Sequence, residues 1–413
     1  MNPLKKLKNL SGDLVYSVSA LAIMSGTLQI IVYPYLTRQM GADEFGNVLA
    51  LISVISIMGS TFGTGANFSR ILICRQGGCP KGDYNRFLLW ISLCFLPLSF
   101  FLVHEFDPVH FEPVYCLGFW LLTTVSMLRY YGDVDYRIHL QFRKYFIYYM
   151  CITAGYVIGV LTYPLFHSWI MIVLLGETMC IIYVLADGTL FDRPRLARSE
   201  RARRNFRSFM VLSLSNLIAS LILNADRLLI AEFVGSQEVT IFFAATLIGK
   251  VIATLTLPLE GVLMGYCSRY KGKFSKKLLL TLSGICLLLG IVATLLSTIA
   301  SHIIIPFMYP DVYQAARPFF LVANAGQVFY FISGTMMVII LNFTKEQSQL
   351  IINTVYAFSF ILLVLPAVII YGLWGIAIAL LAVNLLRFLF IFLIGFHYAR
   401  NTSSKNKTLP VRK

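Results

Sequence analysis

Three ionisable residues stand in stretches too apolar to hold a charge without cause. Glu177, Lys250 and Arg387 lie deep in apolar runs. At 1.5 Å of rise per residue each falls roughly 13 to 21 Å from the outer end of its helix, near the middle of a bilayer. A charge in hydrocarbon is costly, so such residues are by default part of a substrate or ion path. One acid and two bases describe a polar cavity with a cationic bias, suited to an anionic, phosphate-bearing substrate. The competing reading is a buried ion pair, such as Glu177 with Lys250, that serves only helix packing. Asn384 precedes Arg387 by three positions, so the two share a helix face and can form one site. Asn324 and Gln327 have the same spacing, and suit either sugar hydroxyls or amide bonding between helices.

Other candidates sit nearer the helix ends. Glu260, two residues after Pro258, is placed either to exchange a coupling ion or to pair with a neighbouring helix. Asp226-Arg227 and Arg38 mark outer ends, as gate residues or as interface residues that snorkel. Arg70 and Arg129 mark cytoplasmic ends, where each can meet a lipid pyrophosphate or merely contact headgroups. Enzyme motifs are absent: there is no nucleophile elbow, phosphate-binding glycine loop or zinc-ligand helix. The eight cysteines are scattered, and even the close pair Cys74 and Cys79 implies neither a disulfide framework nor a metal site. The expected protein is a transporter without a resident cofactor, with a proton or sodium ion as its coupling ion.

The elements that position these residues follow from composition. Of 413 residues, 58% are hydrophobic and only 13% charged, and the mean hydropathy is +0.76. A soluble domain carries about 25% charged residues, so a soluble globular protein is excluded. The chain runs uncharged for 24 residues from Leu14 to Thr37 and for 25 from Phe45 to Ser69. That excludes a transmembrane barrel, whose strands alternate polar with apolar residues. The expected fold is therefore all-α and integral to the membrane, with about twelve transmembrane helices. They lie near 14–36, 45–66, 87–104, 113–131, 144–164, 168–188, 208–231, 239–266, 278–300, 318–342, 350–370 and 373–398. Two uncharged stretches exceed one helix and must turn, near Tyr163-Pro164 and near Tyr371-Gly372-Leu373-Trp374-Gly375.

Orientation follows from the basic residues, because cytoplasmic loops hold the excess. Twenty-nine of the 34 lysines and arginines fall in alternate loops, including seven arginines from Arg193 to Arg207. Both termini are thus expected in the cytoplasm. The same bias explains the net charge of +15 without nucleic-acid binding, and adds attraction to anionic membrane lipid. No cleavable signal is expected at the start of the chain. The basic segment 191–207 divides the chain into a six-helix half at 1–190 and a second at 208–400, with a cytoplasmic tail at 401–413. A weak repeat supports the division: Gly41-Ala42-Asp43-Glu44 and Gly235-Ser236-Gln237-Glu238 agree at the glycine and the glutamate, and each opens the first outward turn of its half.

The segments Pro34-Tyr35-Leu36-Thr37-Arg38-Gln39-Met40-Gly41-Ala42-Asp43-Glu44-Phe45-Gly46 and Asn224-Ala225-Asp226-Arg227-Leu228-Leu229-Ile230, the latter leading to Gly235, resemble those of the Wzx-type O-antigen flippases of the multidrug/oligosaccharidyl-lipid/polysaccharide (MOP) exporter superfamily. One departure is Thr240-Ile241, where the second half often has a Gly-Tyr pair. The resemblance implies a fold like that of the multidrug and toxin extrusion (MATE) transporters. It also implies translocation of an undecaprenyl-pyrophosphate-linked oligosaccharide across a bacterial inner membrane by alternating access, ion-coupled, within lipopolysaccharide or other polysaccharide biosynthesis. A polysaccharide polymerase and a chain-length regulator are the implied protein partners. In that setting Lys250 and Arg387 would meet the pyrophosphate, while Glu177 or Glu260 exchanges the ion. The rival readings are a MATE-like exporter of cationic drugs, whose cavity should be dominated by acids, and a membrane glycan polymerase, which needs larger outer loops.

Overall fold

The computed structural model describes residues 3–75, 81–188, 190–191, 196–254, 275–341, 343–344 and 347–405, and among these it contains helices and no strands. The chain forms two compact units, 1–231 and 232–413. In the first, α1 (Pro3–Gly26) passes through a π-helical stretch at Thr27–Val32 into α2 (Tyr33–Gly59), and a second such stretch, Ser60–Thr64, leads into α3 (Gly65–Arg75). There follow α4 (Lys81–Phe106), α5 (Pro113–Gly132), the short α6 (Val134–Ile138), α7 (Phe142–Phe166), α8 (Trp169–Asp187) and α9 (Ala202–Phe233). The second unit holds α10 (Ser236–Thr254), α11 (Lys276–Met308), α12 (Pro310–Ala316), α13 (Phe320–Leu341) and α14 (Gln347–Lys405).

Among the described residues, eight helical stretches are long and apolar enough to cross a membrane. The two longest, Val15–Cys74 of 60 residues and Ile351–Ala399 of 49, are each interrupted where the sequence predicts a break. α2 loses helical geometry at Gly41 (φ 85°, ψ 169°) and α14 at Gly372 (φ 55°, ψ −133°). The expected turn at Tyr163-Pro164 comes slightly later, since α7 runs through Pro164 to Phe166 and ends on a left-handed His167. The repeated motif also has a structural counterpart. Gly41 and Gly235 both adopt positive φ, which an L side chain resists, so the glycine shared by the two outward turns answers a backbone requirement. At the second of them Glu238 Oε2 would stand 2.6 Å from any Cβ added to Gly235.

α11 shows how these helices choose their faces. Its buried positions are Leu279, Ser283, Cys286, Gly290, Thr294, Ser297, Ser301, Ile305 and Met308, recurring every three to four residues. Its exposed positions include Leu280, Leu288, Ile291, Leu295, Ile299 and Ile303. Small and hydroxylic residues thus face protein and the large aliphatics face outward. That is the arrangement lipid favours, because hydrocarbon solvates leucine as well as a protein interior does and only close packing draws helices together. In the second unit α11, α13 and α14 meet over a core of Leu279, Val328, Ile332, Met336, Ile340, Phe388 and Ile391.

The described part of the basic segment 191–207 lies against α4, and α9 is hydrogen-bonded within the first unit, Asn205 Nδ2 to Asp83 Oδ2 at 2.8 Å and Ser60 with Ser220 at 2.6 Å. The division between the two compact units falls within α9, after residue 231. Cys74, expected to be incidental, is disulfide-bonded. Among the described residues no group of His, Cys, Asp or Glu could hold a metal ion.

Between α4 and α5 the chain makes a compact turn around Asp107. Its carboxylate accepts hydrogen bonds from Tyr115 Oη at 2.9 Å and stands 2.9 Å from His110 Nδ1. The hydrogen bond to Asp107 raises the His110 pKa above the ordinary histidine value, with burial opposing it. A histidine raised in this way stabilises the folded turn fully below its unfolded-state pKa, and the contribution is lost as pH climbs through the raised value. In a ring-proton titration His110 should therefore hold its proton to higher pH than a histidine in an unfolded reference peptide, and Asp107→Asn should bring its midpoint down. An unchanged midpoint in Asp107→Asn would remove Asp107 as the cause.

Candidate functional site

The group with most unspent bonding capacity is Arg387, on α14 beyond the Gly372 break. It is 9% exposed, and its Nε and Nη1 are buried with no hydrogen-bond partner. Its guanidinium rests 5.0 Å from the centroid of the Tyr330 ring and 4.7 Å from that of Tyr356, and ring faces attract a cation. Among the described residues no carboxylate pairs with it. Asn384, one turn earlier, fixes this surround. Its Oδ1 accepts from Tyr356 Oη at 3.1 Å, and its Nδ2 donates to the Gly326 carbonyl at 2.9 Å. The expected Asn384/Arg387 face thus exists, with Asn384 holding the tyrosine against which the arginine lies. A buried guanidinium backed by two rings, with N–H groups unused, can bind an anion by charge-assisted hydrogen bonds.

The other expected residues separate into groups. Asn324 is fully buried and bridges three helices: its Oδ1 accepts from the Gly249 N–H at 2.7 Å and its Nδ2 donates to Ser301 Oγ at 3.0 Å. Of its two readings, amide bonding between helices is the one seen. Lys250 follows Gly249 on α10 and is half-buried, as is Gln327, which follows Gly326 on α13. Arg38 is exposed on α2, and Asp226 is buried on α9 with Oδ1 accepting from the Arg227 N–H at 3.0 Å. Glu260 lies outside the described residues.

In the first unit two expectations are corrected. Glu177 does not pair with Lys250; its ion-pair partner is Arg129, on α5, and Tyr156 Oη donates to its Oε1 at 3.1 Å. Arg129 is therefore an interior residue, 8% exposed, that also lies 4.0 Å over the Tyr130 ring. Arg70 is likewise interior and not a headgroup contact. It donates to Asp135 Oδ1 at 2.7 Å and to Tyr131 Oη at 3.2 Å. Both arginines come at the ends of apolar runs, and a neighbouring helix supplies an acid, so each is drawn inward instead of toward headgroups.

Sequence reasoning passed over the carboxylates that join this network. Asp133 accepts from Asn67 Nδ2 at 2.5 Å, from Arg137 Nε at 3.0 Å and from Tyr149 Oη at 3.2 Å. The Asp133/Arg137 spacing of four was a visible signal, but both residues read as loop charges. Tyr330 and Tyr356 were passed over too. Their signal was position, since tyrosine favours the membrane interface and both fall inside apolar spans.

No protein-family model and no curated sequence matches the chain. Solved structures do. The lipid II flippase MurJ in an inward closed conformation superposes with a TM-score of 0.70 at 12% identity, covering 97% of this chain and 90% of that one. An inward-facing multidrug resistance transporter of the MATE family, MOP superfamily, gives 0.69 at 11% identity, with 96% of each chain covered. The chain has the fold of these transporters. A MOP superfamily transporter from Pyrococcus furiosus, described as having a binding pocket of reverse polarity, matches at 0.63 and 12% identity over 94% of this chain and 95% of that one. The fold is thus one found in membrane transporters and flippases, and the chain is a multi-pass membrane protein.

Proposed function

We propose that the protein is a flippase that carries an undecaprenyl-pyrophosphate-linked oligosaccharide, an O-antigen or similar repeat unit, from the cytoplasmic to the periplasmic leaflet of a bacterial inner membrane. The observation that carries this reading is Arg387, a buried cation with two unbonded donor nitrogens and no carboxylate beside it among the described residues. A pyrophosphate supplies the acceptors it lacks, while the polyprenyl tail stays in lipid. Lys250 adds a second positive charge in the same unit, and Gln327 is placed for sugar hydroxyls. In this reading twelve spans place both termini in the cytoplasm, and the protein alternates access to the two sides. Glu177, Glu260 or Asp226 exchanges the coupling proton or sodium ion. A polymerase and a chain-length regulator then consume the delivered repeat units. The polarity argues against the cationic-drug alternative, because Glu177, the buried acid read as mid-membrane, is already neutralised by Arg129.

The deciding experiment deletes the gene in its native host and measures surface polysaccharide together with lipid-linked repeat units. Loss of polymer, with single repeat units accumulating on the inner leaflet, is the expected result. Unchanged surface glycan with new sensitivity to cationic dyes would move the assignment to drug export, with Glu177 and Glu260 as its acidic site.

A further inference from the structure

The first unit contains a second cationic site, built from the basic segment that the sequence marks as a linker. That segment is fastened to α4. The Ser199 N–H donates to Asp83 Oδ1 at 2.9 Å and its hydroxyl to Oδ2 at 2.5 Å, while Asn205 Nδ2 donates to the same Oδ2 at 2.8 Å. Arg86 Nη2 donates to the Leu196 carbonyl at 3.0 Å and Asn85 Nδ2 to the Leu190 carbonyl at 3.1 Å. The backbone of Ala197 comes so close to α4 that a Cβ at position 82 would stand 2.3 Å from its carbonyl oxygen, so Gly82 is needed there. Residues 196–205 thus lie fastened over the start of α4.

Fastening the segment this way leaves an open-sided cavity of about 340 Å³ between α4 and α9, lined by Arg86, Phe87 and Trp90 on one side and by Arg198, Arg203 and Phe206 on the other. Phe87 and Phe206 meet edge to face with centroids 5.1 Å apart. Asp83 also borders the cavity and keeps its charge while accepting from Ser199 and Asn205, so three guanidinium groups against one carboxylate leave the cavity with a net positive polarity. Arg198 and Arg203 are exposed, and neither forms an ion pair among the described residues. From the cavity outward both helices carry a run of exposed apolar side chains: Leu89, Trp90 and Leu93 on α4, and Phe206, Met210 and Val211 on α9. Arginines recognise phosphate oxygens by fork geometry, tryptophan favours the headgroup level, and basic pockets between transmembrane helices bind anionic headgroups.

We infer that this cavity is a binding site for the phosphodiester headgroup of an anionic glycerophospholipid, whose acyl chains lie along the exposed faces of α4 and α9. A free phosphate would use the arginines alone and leave the adjoining apolar faces without a role. Bound there, the headgroup ties α4, the latched segment and α9 together. The site is separate from Arg387 and independent of the transported substrate.

The test is native mass spectrometry of the delipidated full-length protein titrated with phosphatidylglycerol and, in parallel, with phosphatidylethanolamine. The wild type should retain phosphatidylglycerol preferentially. Arg86→Gln/Arg198→Gln/Arg203→Gln should weaken that binding by about tenfold or more, whereas the control Arg143→Gln/Lys276→Gln/Lys277→Gln, which removes as many charges elsewhere, should not. Equal weakening in both variants would reduce the effect to general surface charge and overturn the proposal. So would displacement of the lipid by millimolar glycerol phosphate, which would make the site one for a soluble anion. If the triple variant fails to fold, Arg198→Gln and Arg203→Gln singly, both at exposed positions, should each weaken binding about threefold, and no change in either would equally overturn it.

Discussion

Arg387→Gln will lower translocation by about two orders of magnitude without lowering the thermal stability of the purified protein. The first half of this result follows from the bonds that Arg387 has left to make. Two charge-assisted hydrogen bonds to a phosphate are worth about 1.5–3 kcal/mol each, and about 1.4 kcal/mol is a tenfold change in binding. The second half follows from what Arg387 lacks in the empty site. A buried charge without a counter-ion is a cost to folding, only partly offset by the Tyr330 and Tyr356 rings. Glutamine removes that cost, so the melting temperature should hold or rise. A purely structural arginine predicts the opposite pattern, with stability falling along with transport. Arg387→Lys keeps the charge but not the fork, and should recover part of the activity. Transport at the wild-type rate in Arg387→Gln would remove this residue from the substrate path.

The Arg129–Glu177 pair should behave in the reverse way. Removing one member leaves the other charged and buried, which costs about 3–5 kcal/mol, so Glu177→Gln and Arg129→Met should each sharply reduce the folded fraction in detergent. Arg129→Met/Glu177→Gln together should restore most of it, because nothing is then left uncompensated. The double variant also separates packing from ion coupling. If Glu177 exchanges the coupling ion, the refolded double variant will exchange substrate but no longer respond to an imposed proton or sodium gradient. Normal gradient-driven transport in that variant would confine the pair to helix packing.

The contrast between these two sites shows what a sequence read alone can reach. Breaks at Pro164 to His167 and at Gly372 were legible because an uncharged run longer than a bilayer has to turn somewhere, and the break at Gly41 because Arg38, Asp43 and Glu44 separate two apolar runs. The shared face of Asn384 and Arg387 was legible because positions three apart on a helix face the same way. Partners across helices were not. Arg129 and Glu177 lie on α5 and α8, and hydropathy says nothing about which spans are neighbours, so the sequence offers Lys250 as readily as Arg129 for any ion pair of Glu177. Arg70 and Arg129 read as partners of either a lipid pyrophosphate or headgroups, because a charge near the end of a span has two directions open to it. Which one it takes depends on acids such as Asp135, which themselves read as loop residues. The location of the basic segment was plain, but its attachment to α4 through Asp83 was not, since that latch joins residues 116 positions apart in the chain.

α9 and α11 contain 32 and 33 residues, each about 50 Å of rod, whereas the hydrocarbon is about 30 Å thick. An ordinary tilt of about 20° absorbs only some 2 Å of the surplus. Roughly three turns of each helix therefore stand clear of the oily layer, shared between its two ends, one of which carries Arg203, Arg204 and Arg207 in one case and Lys276 and Lys277 in the other. These basic ends are stiff posts anchored in the headgroups, so a bilayer of altered thickness bears directly on the helices they belong to.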